Sequence, residues 1–406
     1  MRRMPADRSL AARVEAGTDV TGDLRALARL VAAFHTRADR GPHIAVEGGR
    51  DALRERWRAN VTELRALDGP AAGPLDAVAD LAMRFLDGRG PLFAGRVDGD
   101  RVVDGHGDLI AADVFCLDDG PRVLDCLEFD DRLRHLDALD DVAFLAMDLE
   151  RLGRPDLGER FLEAYREFSG DPAPASLRHH YVAYRAMVRA KVAWLRHAQD
   201  GTAAAAEQAR VHTDIALRHL RAGDVRLVLV GGLPGTGKTT LAGGLADRFG
   251  AVVLSSDRVR KELAGLDPTA SAAAGYRQGL YAPERTEGLY AELLHRAEGL
   301  LARGESVVLD ASWTSGEHRR QAAALARRTH STLVGLRCRT TAAAAGRRIA
   351  ARDADAGSIS DATGTVAAAM AGDADPWPEA VTVPTGRSVA GSLERAARVW
   401  EAAPGA

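Results

Sequence analysis

Arg226-Leu227-Val228-Leu229-Val230-Gly231-Gly232-Leu233-Pro234-Gly235-Thr236-Gly237-Lys238-Thr239-Thr240 decides the fold of the second half of this 406-residue chain. Arg226–Val230 is an apolar, β-branched run of strand length, and residues 238–249 read as a helix. Between them, Gly232 to Thr239 matches G-x-x-x-x-G-K-[ST] in the strand–loop–helix setting that gives the pattern its meaning. Gly232, Gly235 and Gly237 let the backbone turn its N–H groups inward around an anion. The start of the helix adds its positive dipole end. Lys238 is expected to reach the β- and γ-phosphates, and the Thr239 hydroxyl to help ligate Mg²⁺. Thr236 and Thr240 complete the expected nucleotide-binding set, for ATP or GTP with Mg²⁺.

Working outward, strands are expected at 251–254, 306–309, 332–336 and 380–383, with helices between them. Strands alternating with helices imply an α/β unit, a parallel sheet flanked by helices. In such sheets ligands sit at the carboxyl ends of the strands. Asp257 falls at one such end. Two readings stand there: an acid that orients or deprotonates an attacking hydroxyl, or a helix N-cap. A P-loop at this distance favours the first. Val307-Val308-Leu309-Asp310 is an apolar strand ending in an acid, and Asp310 is a candidate Mg²⁺ partner. Arg348 and Arg352 lie four apart and so share a helix face. They form either a lid that stabilises phosphoryl charge or a solvated basic face.

These pieces resemble the small P-loop kinases of the zeta-toxin, polynucleotide-kinase and gluconate-kinase type. The matching residues are the P-loop, Ser255-Ser256-Asp257-x-x-Arg260-Lys261, Tyr290-Ala291-Glu292-Leu293-Leu294, Val308-Leu309-Asp310-Ala311-Ser312-Trp313 with Arg319, Arg348-x-x-x-Arg352, Ser360-Asp361-Ala362 and Pro376-Trp377. The resemblance covers about residues 225–400. It implies ATP-dependent phosphorylation of a hydroxyl, with Asp257 at the position of the substrate hydroxyl.

The first half reads differently. Helical periodicity covers 22–37, 50–67, 74–87, 137–152, 156–168, 176–199 and 203–221. Two short β-like runs, 101–104 and 122–126, flank His106-Gly107-Asp108. That segment, with Asp113, Val123-Leu124-Asp125, Arg134, Asp137 and Asp141-Val142-Ala143-Phe144, resembles the core of aminoglycoside phosphotransferase-like kinases. The resemblance implies a mostly helical, protein-kinase-like C-lobe in which Asp108 is catalytic and Asp113 and Asp125 hold metal ions. Two departures accompany it. Asp113 stands where that family has Asn. The small β lobe with its phosphate-gripping lysine is not seen: Met1–Pro5 already resembles the hinge between lobes, and no lysine precedes Lys191. Either coding sequence lies upstream, or this half has no independent ATP site. The pairing as a whole resembles bacterial fusions of a phosphotransferase-like domain with a P-loop kinase, divided here at 1–222 and 223–406.

Composition narrows the partners. The net charge is −3, and acids are interleaved with the abundant arginines. That balance argues against a nucleic-acid partner, whose phosphates demand a basic stripe. Only three of the 54 basic residues are lysines, and one of them is Lys238. Three cysteines (Cys116, Cys126, Cys338) fit reduced thiols rather than a disulfide framework. No apolar run is long enough for a membrane span, and residues 1–20 carry no signal-peptide core. A cytoplasmic kinase of a small-molecule hydroxyl substrate is the leading expectation. A nucleotide-binding regulatory protein with a pseudokinase half, and a nucleic-acid end kinase, are the competing ones.

Overall fold

The computed structural model describes residues 4–67, 69, 72–267, 278–353 and 364–402, with the backbone alone of 352, 353, 364 and 365. The chain divides into two units, Met1–Asp224 and Val225–Ala406.

The first unit is built from helices α1 (Leu10–Glu15), α2 (Thr21–Arg37), α3 (Pro42–Glu47), α4 (Arg50–Arg65), α5 (Ala72–Gly88), α6 (Gly90–Asp98), α7 (Ala138–Arg151), α8 (Pro155–Ser169), α9 (Ala175–Asp200) and α10 (Ala203–Ala222). Four short strands accompany them: β1 (Val102–Asp104), β2 (Val114–Leu117), β3 (Gly120–Val123) and β4 (His135–Asp137). Helix α7 is the axis of the core. It is buried from Ala138 to Leu149, with α8 and α9 packed on it, α2 on α8, and α10 on α9. Because Asp140, Asp141 and Asp148 go into the interior with it, each must find a partner there.

Both β-like runs of this half overlap a strand, and each strand takes a different partner. β1 pairs antiparallel with β4, placing Val103 opposite Leu136, while β2 and β3 form their own hairpin with Val114 opposite Val123. Three-residue strands carry too little pattern to reveal a partner some thirty residues away. The buried side chains of Val103 and Leu136 fix the pairing. Helical structure also starts earlier than residue 22, because Ser9 Oγ accepts the Ala12 N–H at 3.2 Å and caps α1.

The second unit carries β5 (Arg226–Gly231), α11 (Lys238–Phe249), β6 (Val252–Ser255), α12 (Ser256–Leu263), α13 (Pro283–Ala302), β7 (Val307–Asp310), α14 (Gly316–Arg328), β8 (Thr332–Arg339), α15 (Ala342–Asp353), α16 (Gly364–Gly372), β9 (Val381–Pro384) and α17 (Val389–Ala402). The strands form one parallel sheet in the order β6-β7-β5-β8-β9. Alternation with period 2 sorts the strand residues onto two faces. Val228, Val230, Val308, Val334, Leu336 and Val383 pack with Leu241 and Leu245 of α11 and Trp400 of α17. Leu227, Leu229, Val307 and Leu309 are buried on the other face, where α13 and α14 contact the sheet. Burial on both faces is why β5 and β7 read as unbroken apolar runs. After β5 the chain crosses to one side of the sheet, and after β7 to the other. The carboxyl end of β5 is therefore the switch point where ligands bind in such sheets. No helix among the described residues is long and apolar enough to cross a membrane.

Candidate active site

The loop from Gly231 to Lys238 joins β5 to α11 at that switch point. Two of its glycines are required by geometry. Gly235 has φ +75°, and a Cβ there would lie 2.6 Å from the Ala345 carbonyl oxygen. Gly232 has φ +140°, and a Cβ there would lie 2.7 Å from the Cys338 carbonyl oxygen. Backbone cannot step aside as a flexible side chain can, so both positions exclude larger residues. Thr236 is buried, and its hydroxyl donates to the Leu233 carbonyl at 2.7 Å. Lys238 Nζ donates to the same carbonyl at 3.1 Å. Thr240, the next residue but one along α11, is exposed.

The sheet register brings the acids to this loop. Asp310 ends β7 opposite Val230 of β5 on one side and Ser255 of β6 on the other. Thr239 Oγ1 donates to Asp310 Oδ2 at 2.7 Å. Burial pushes the Asp310 carboxyl above its ordinary range, while the Lys238 ammonium and the Thr239 hydroxyl pull it down. Hard oxygen donors beside a phosphate cradle are the donor set Mg²⁺ takes. The hydroxyl and carboxylate present here fit that ion.

Asp257 is not an N-cap. Ser255 is the N-cap of α12, and Asp257 lies in the first helical turn, half-buried, at the edge where β6 ends. Its negative charge is favourable there against the helix dipole. On the adjacent strand end, Ser312 and Trp313 form a turn held from several directions. Gly232 N–H donates to the Ser312 carbonyl at 3.1 Å, and Trp313 Nε1 donates to the Leu309 carbonyl at 3.2 Å. Arg319 donates to the Trp313 carbonyl at 2.7 Å.

Arg348, on α15, donates to the Gly235 carbonyl at 3.4 Å and to the Thr385 carbonyl at 2.6 Å. Its guanidinium therefore sits against the P-loop. The side chain of Arg352 and the segment Ser360-Asp361-Ala362 lie outside the described residues. Sequence reasoning missed Thr385. Its hydroxyl donates to the Thr236 carbonyl and its N–H to the Arg339 carbonyl, tying the end of β9 to the loop. Its place just beyond an expected strand, at the same sheet edge, was the available signal.

In the first unit, the His106-Gly107-Asp108 loop is clamped from two helices. Asp141 of α7 accepts the His106 N–H at 2.8 Å and the Gly107 N–H at 2.9 Å. His35 Nε2 lies 3.0 Å from the same carboxylate. Burial pushes Asp141 up, but these bonds outweigh it and hold the carboxyl below the usual range. From α9, Arg185 donates to the Gly107 carbonyl at 3.1 Å and pairs with Asp140 through two bonds of 2.7 and 2.8 Å. Asp108 is half-buried. Burial raises its carboxyl, and the Arg189 and Arg185 charges oppose that. Burial, then the charges of Asp125 and Asp108, raise Asp113. Asp125 is exposed, two residues past β3, with φ +62°. Among the described residues, no group of three or more His, Cys, Asp or Glu side chains is placed to hold a metal ion.

A parallel sheet in this order, with a glycine loop after its central strand and an acid ending the neighbouring one, defines a P-loop nucleotide-binding unit. Residues 227–376 match the family model described as an AAA domain. The chain is 44% identical over 408 residues to "Uncharacterized protein Rv2004c" of Mycobacterium tuberculosis (strain ATCC 25618 / H37Rv), covering 99% of this chain and 80% of that one. The same figures hold for "Uncharacterized protein Mb2027c" of Mycobacterium bovis (strain ATCC BAA-935 / AF2122/97). The chain belongs to the family of these mycobacterial proteins. Among solved structures, a gluconokinase from Sinorhizobium meliloti 1021 is 15% identical, over 44% of this chain and 91% of that one, with a TM-score of 0.32. A sugar kinase from Janibacter sp. HTCC2649 is 18% identical, over 44% and 96%, with a TM-score of 0.33.

Proposed function

We propose that this protein is an ATP- and Mg²⁺-dependent phosphotransferase that acts on a hydroxyl of a small molecule, with the chemistry on its P-loop unit. The observation that carries the reading is the Thr239–Asp310 hydrogen bond at 2.7 Å, which joins the glycine loop to the acid ending β7. Thr239 and Asp310 would hold the Mg²⁺, which neutralises phosphate charge when bound. Lys238 exchanges the Leu233 carbonyl for the nucleotide's phosphates. Asp257 takes the proton of the acceptor hydroxyl as its oxygen bonds to the γ-phosphorus; the bond from that phosphorus to the β-bridging oxygen breaks, and ADP leaves. Arg348, already against the loop, stabilises charge on the transferring group, with Arg352 as its assigned companion. Gly232, Gly235, Thr236, Gly237 and Thr240 line the nucleotide's path. The reading as a cytoplasmic enzyme of small substrates rests on the few cysteines and the balanced surface charge.

The test is ADP release over a panel of sugars, aminoglycosides and nucleosides. Asp257→Asn is expected to lower kcat by about 100-fold or more, with ATP affinity unchanged. Full turnover by Asp257→Asn would remove the acid from the mechanism.

For the first unit we infer an aminoglycoside phosphotransferase-like loop in which Asp108 faces a substrate hydroxyl. The double clamp by Asp141 and Arg185 supports this, since it holds in place the loop that carries Asp108. Asp113 and Asp125 are its accompanying acids, and the metal-dependent step is assigned to the P-loop unit alone.

A further inference from the structure

Trp313 is buried and has φ +53°, a left-handed conformation that a bulky residue adopts only when its surroundings impose it. The surroundings include Tyr290 of α13. Its phenol oxygen accepts the Trp313 N–H at 3.3 Å and lies 3.1 Å from Ser312 Oγ. The Tyr290 ring is stacked on His318 with centroids 3.8 Å apart, so its direction is fixed.

The direction of the Tyr290–Ser312 bond follows from counting donors. Tyr290 is buried, and Ser312 Oγ is the acceptor within its reach among the described residues. A buried hydroxyl proton left without an acceptor is costly. The phenol therefore donates to Ser312. That occupies a lone pair of Ser312 Oγ and leaves the serine's own proton free to point outward. Ser312 is half-buried and so reachable from the site. Asp257 and Ser312 lie two residues beyond the register partners Ser255 and Asp310, at the carboxyl ends of neighbouring strands. Burial pushes the Tyr290 phenol up, and the Arg260 and Asp257 charges act on it in opposite senses, the first lowering and the second raising it.

We propose that Ser312 contacts the phosphoryl acceptor as a hydrogen-bond donor, that Tyr290 is the positioning residue that aims it, and that the acceptor is a vicinal diol. One hydroxyl faces Asp257 and is phosphorylated. The oxygen on the neighbouring carbon accepts from Ser312. This rests on the kinase reading above and narrows its substrate class.

The experiment uses the full chain with ATP and Mg²⁺, and compares polyols and sugars with their deoxy analogues lacking the neighbouring hydroxyl. With the acceptor turned over best, wild type is expected to prefer the parent over the deoxy analogue by about tenfold in kcat/KM, the worth of one hydrogen bond. Ser312→Ala should erase that preference by losing activity on the parent alone. Ser312→Thr, which keeps the hydroxyl, should retain it. Tyr290→Phe keeps the ring stack and should weaken the preference through the acceptor KM, leaving the ATP KM unchanged. Full discrimination in Ser312→Ala overturns the proposal while leaving the kinase reading intact. Wild-type chain that binds ATP yet releases ADP at one rate with and without every acceptor overturns both.

Discussion

Thr239 and Asp310 are 71 positions apart in the chain and 2.7 Å apart in space, the hydroxyl of the first donating to the carboxylate of the second. The parallel register of β5 and β7 makes this contact, because it sets the end of one strand beside the start of the helix that follows the other. Thr239→Val removes the hydroxyl at constant shape. Calorimetric titration with ATP is expected to show at least about a tenfold loss of the affinity that Mg²⁺ confers, since one of its oxygen partners is gone. Thr239→Ser should behave as wild type. Equal Mg²⁺ dependence in the valine variant would detach this pair from the metal.

Gly235 and Gly243 give opposite expectations for the same substitution. A methyl group at Gly235 meets backbone at 2.6 Å under φ +75°, whereas at Gly243, inside α11, nothing lies within 4 Å. Gly235→Ala should destabilise the P-loop unit by about 1–3 kcal/mol and abolish ATP binding. Gly243→Ala should stabilise it by about 0.5–1 kcal/mol. Urea unfolding of the two variants distinguishes them.

His180 makes the first unit sensitive to acid. It is buried, accepts the Trp57 Nε1–H at 3.2 Å, and stacks on Phe85. Burial pushes its pKa down to about 3. The unfolded chain, with an ordinary histidine near 6.5, then binds more protons than the folded one between these values. Stability present above about pH 6.5 is lost as pH falls below it, by on the order of 1–2 kcal/mol at pH 5. His180→Gln keeps an acceptor for Trp57 but cannot titrate. Its melting temperature should fall less between pH 7 and 5 than that of wild type. Parallel slopes would show that the imidazole is not the group responsible.

Arg96 binds two buried carboxylates at once, with bonds of 2.7 Å to both oxygens of Asp137 and 2.7 Å to Asp171. Arg96→Met strands two charges in the interior. The expected cost to the first unit is about 3–5 kcal/mol, read from the urea midpoint. Lysine should rescue only part of it, since a point charge cannot engage both acids. A loss below 1 kcal/mol would mean that water reaches these carboxylates.

How much was legible in the sequence followed how local the signal was. The β5–loop–α11 unit was readable because its residues are contiguous and each has a local reason, the β-branched run for the strand and the glycines for the turn. Asp310 was readable because a buried strand ending in an acid is a local pattern. The pairing of β1 with β4 was not, since neither strand exceeds three residues. Nor were the contacts of Thr385 with Thr236, of Asp141 with the His106 loop, or of Tyr290 with Ser312. In each the two partners come from separate elements, and only packing makes them neighbours. Asp257 was read with two meanings. The structure removed the capping one by giving that place to Ser255.

The central claim is that phosphoryl transfer belongs to the P-loop unit. Acceptor-dependent ADP release should be measured in parallel for wild type, Lys238→Ala and Asp108→Ala. The account predicts that turnover falls by about 100-fold or more in Lys238→Ala, where the phosphates lose their cation, and persists in Asp108→Ala. Turnover that survives Lys238→Ala and vanishes in Asp108→Ala would contradict it.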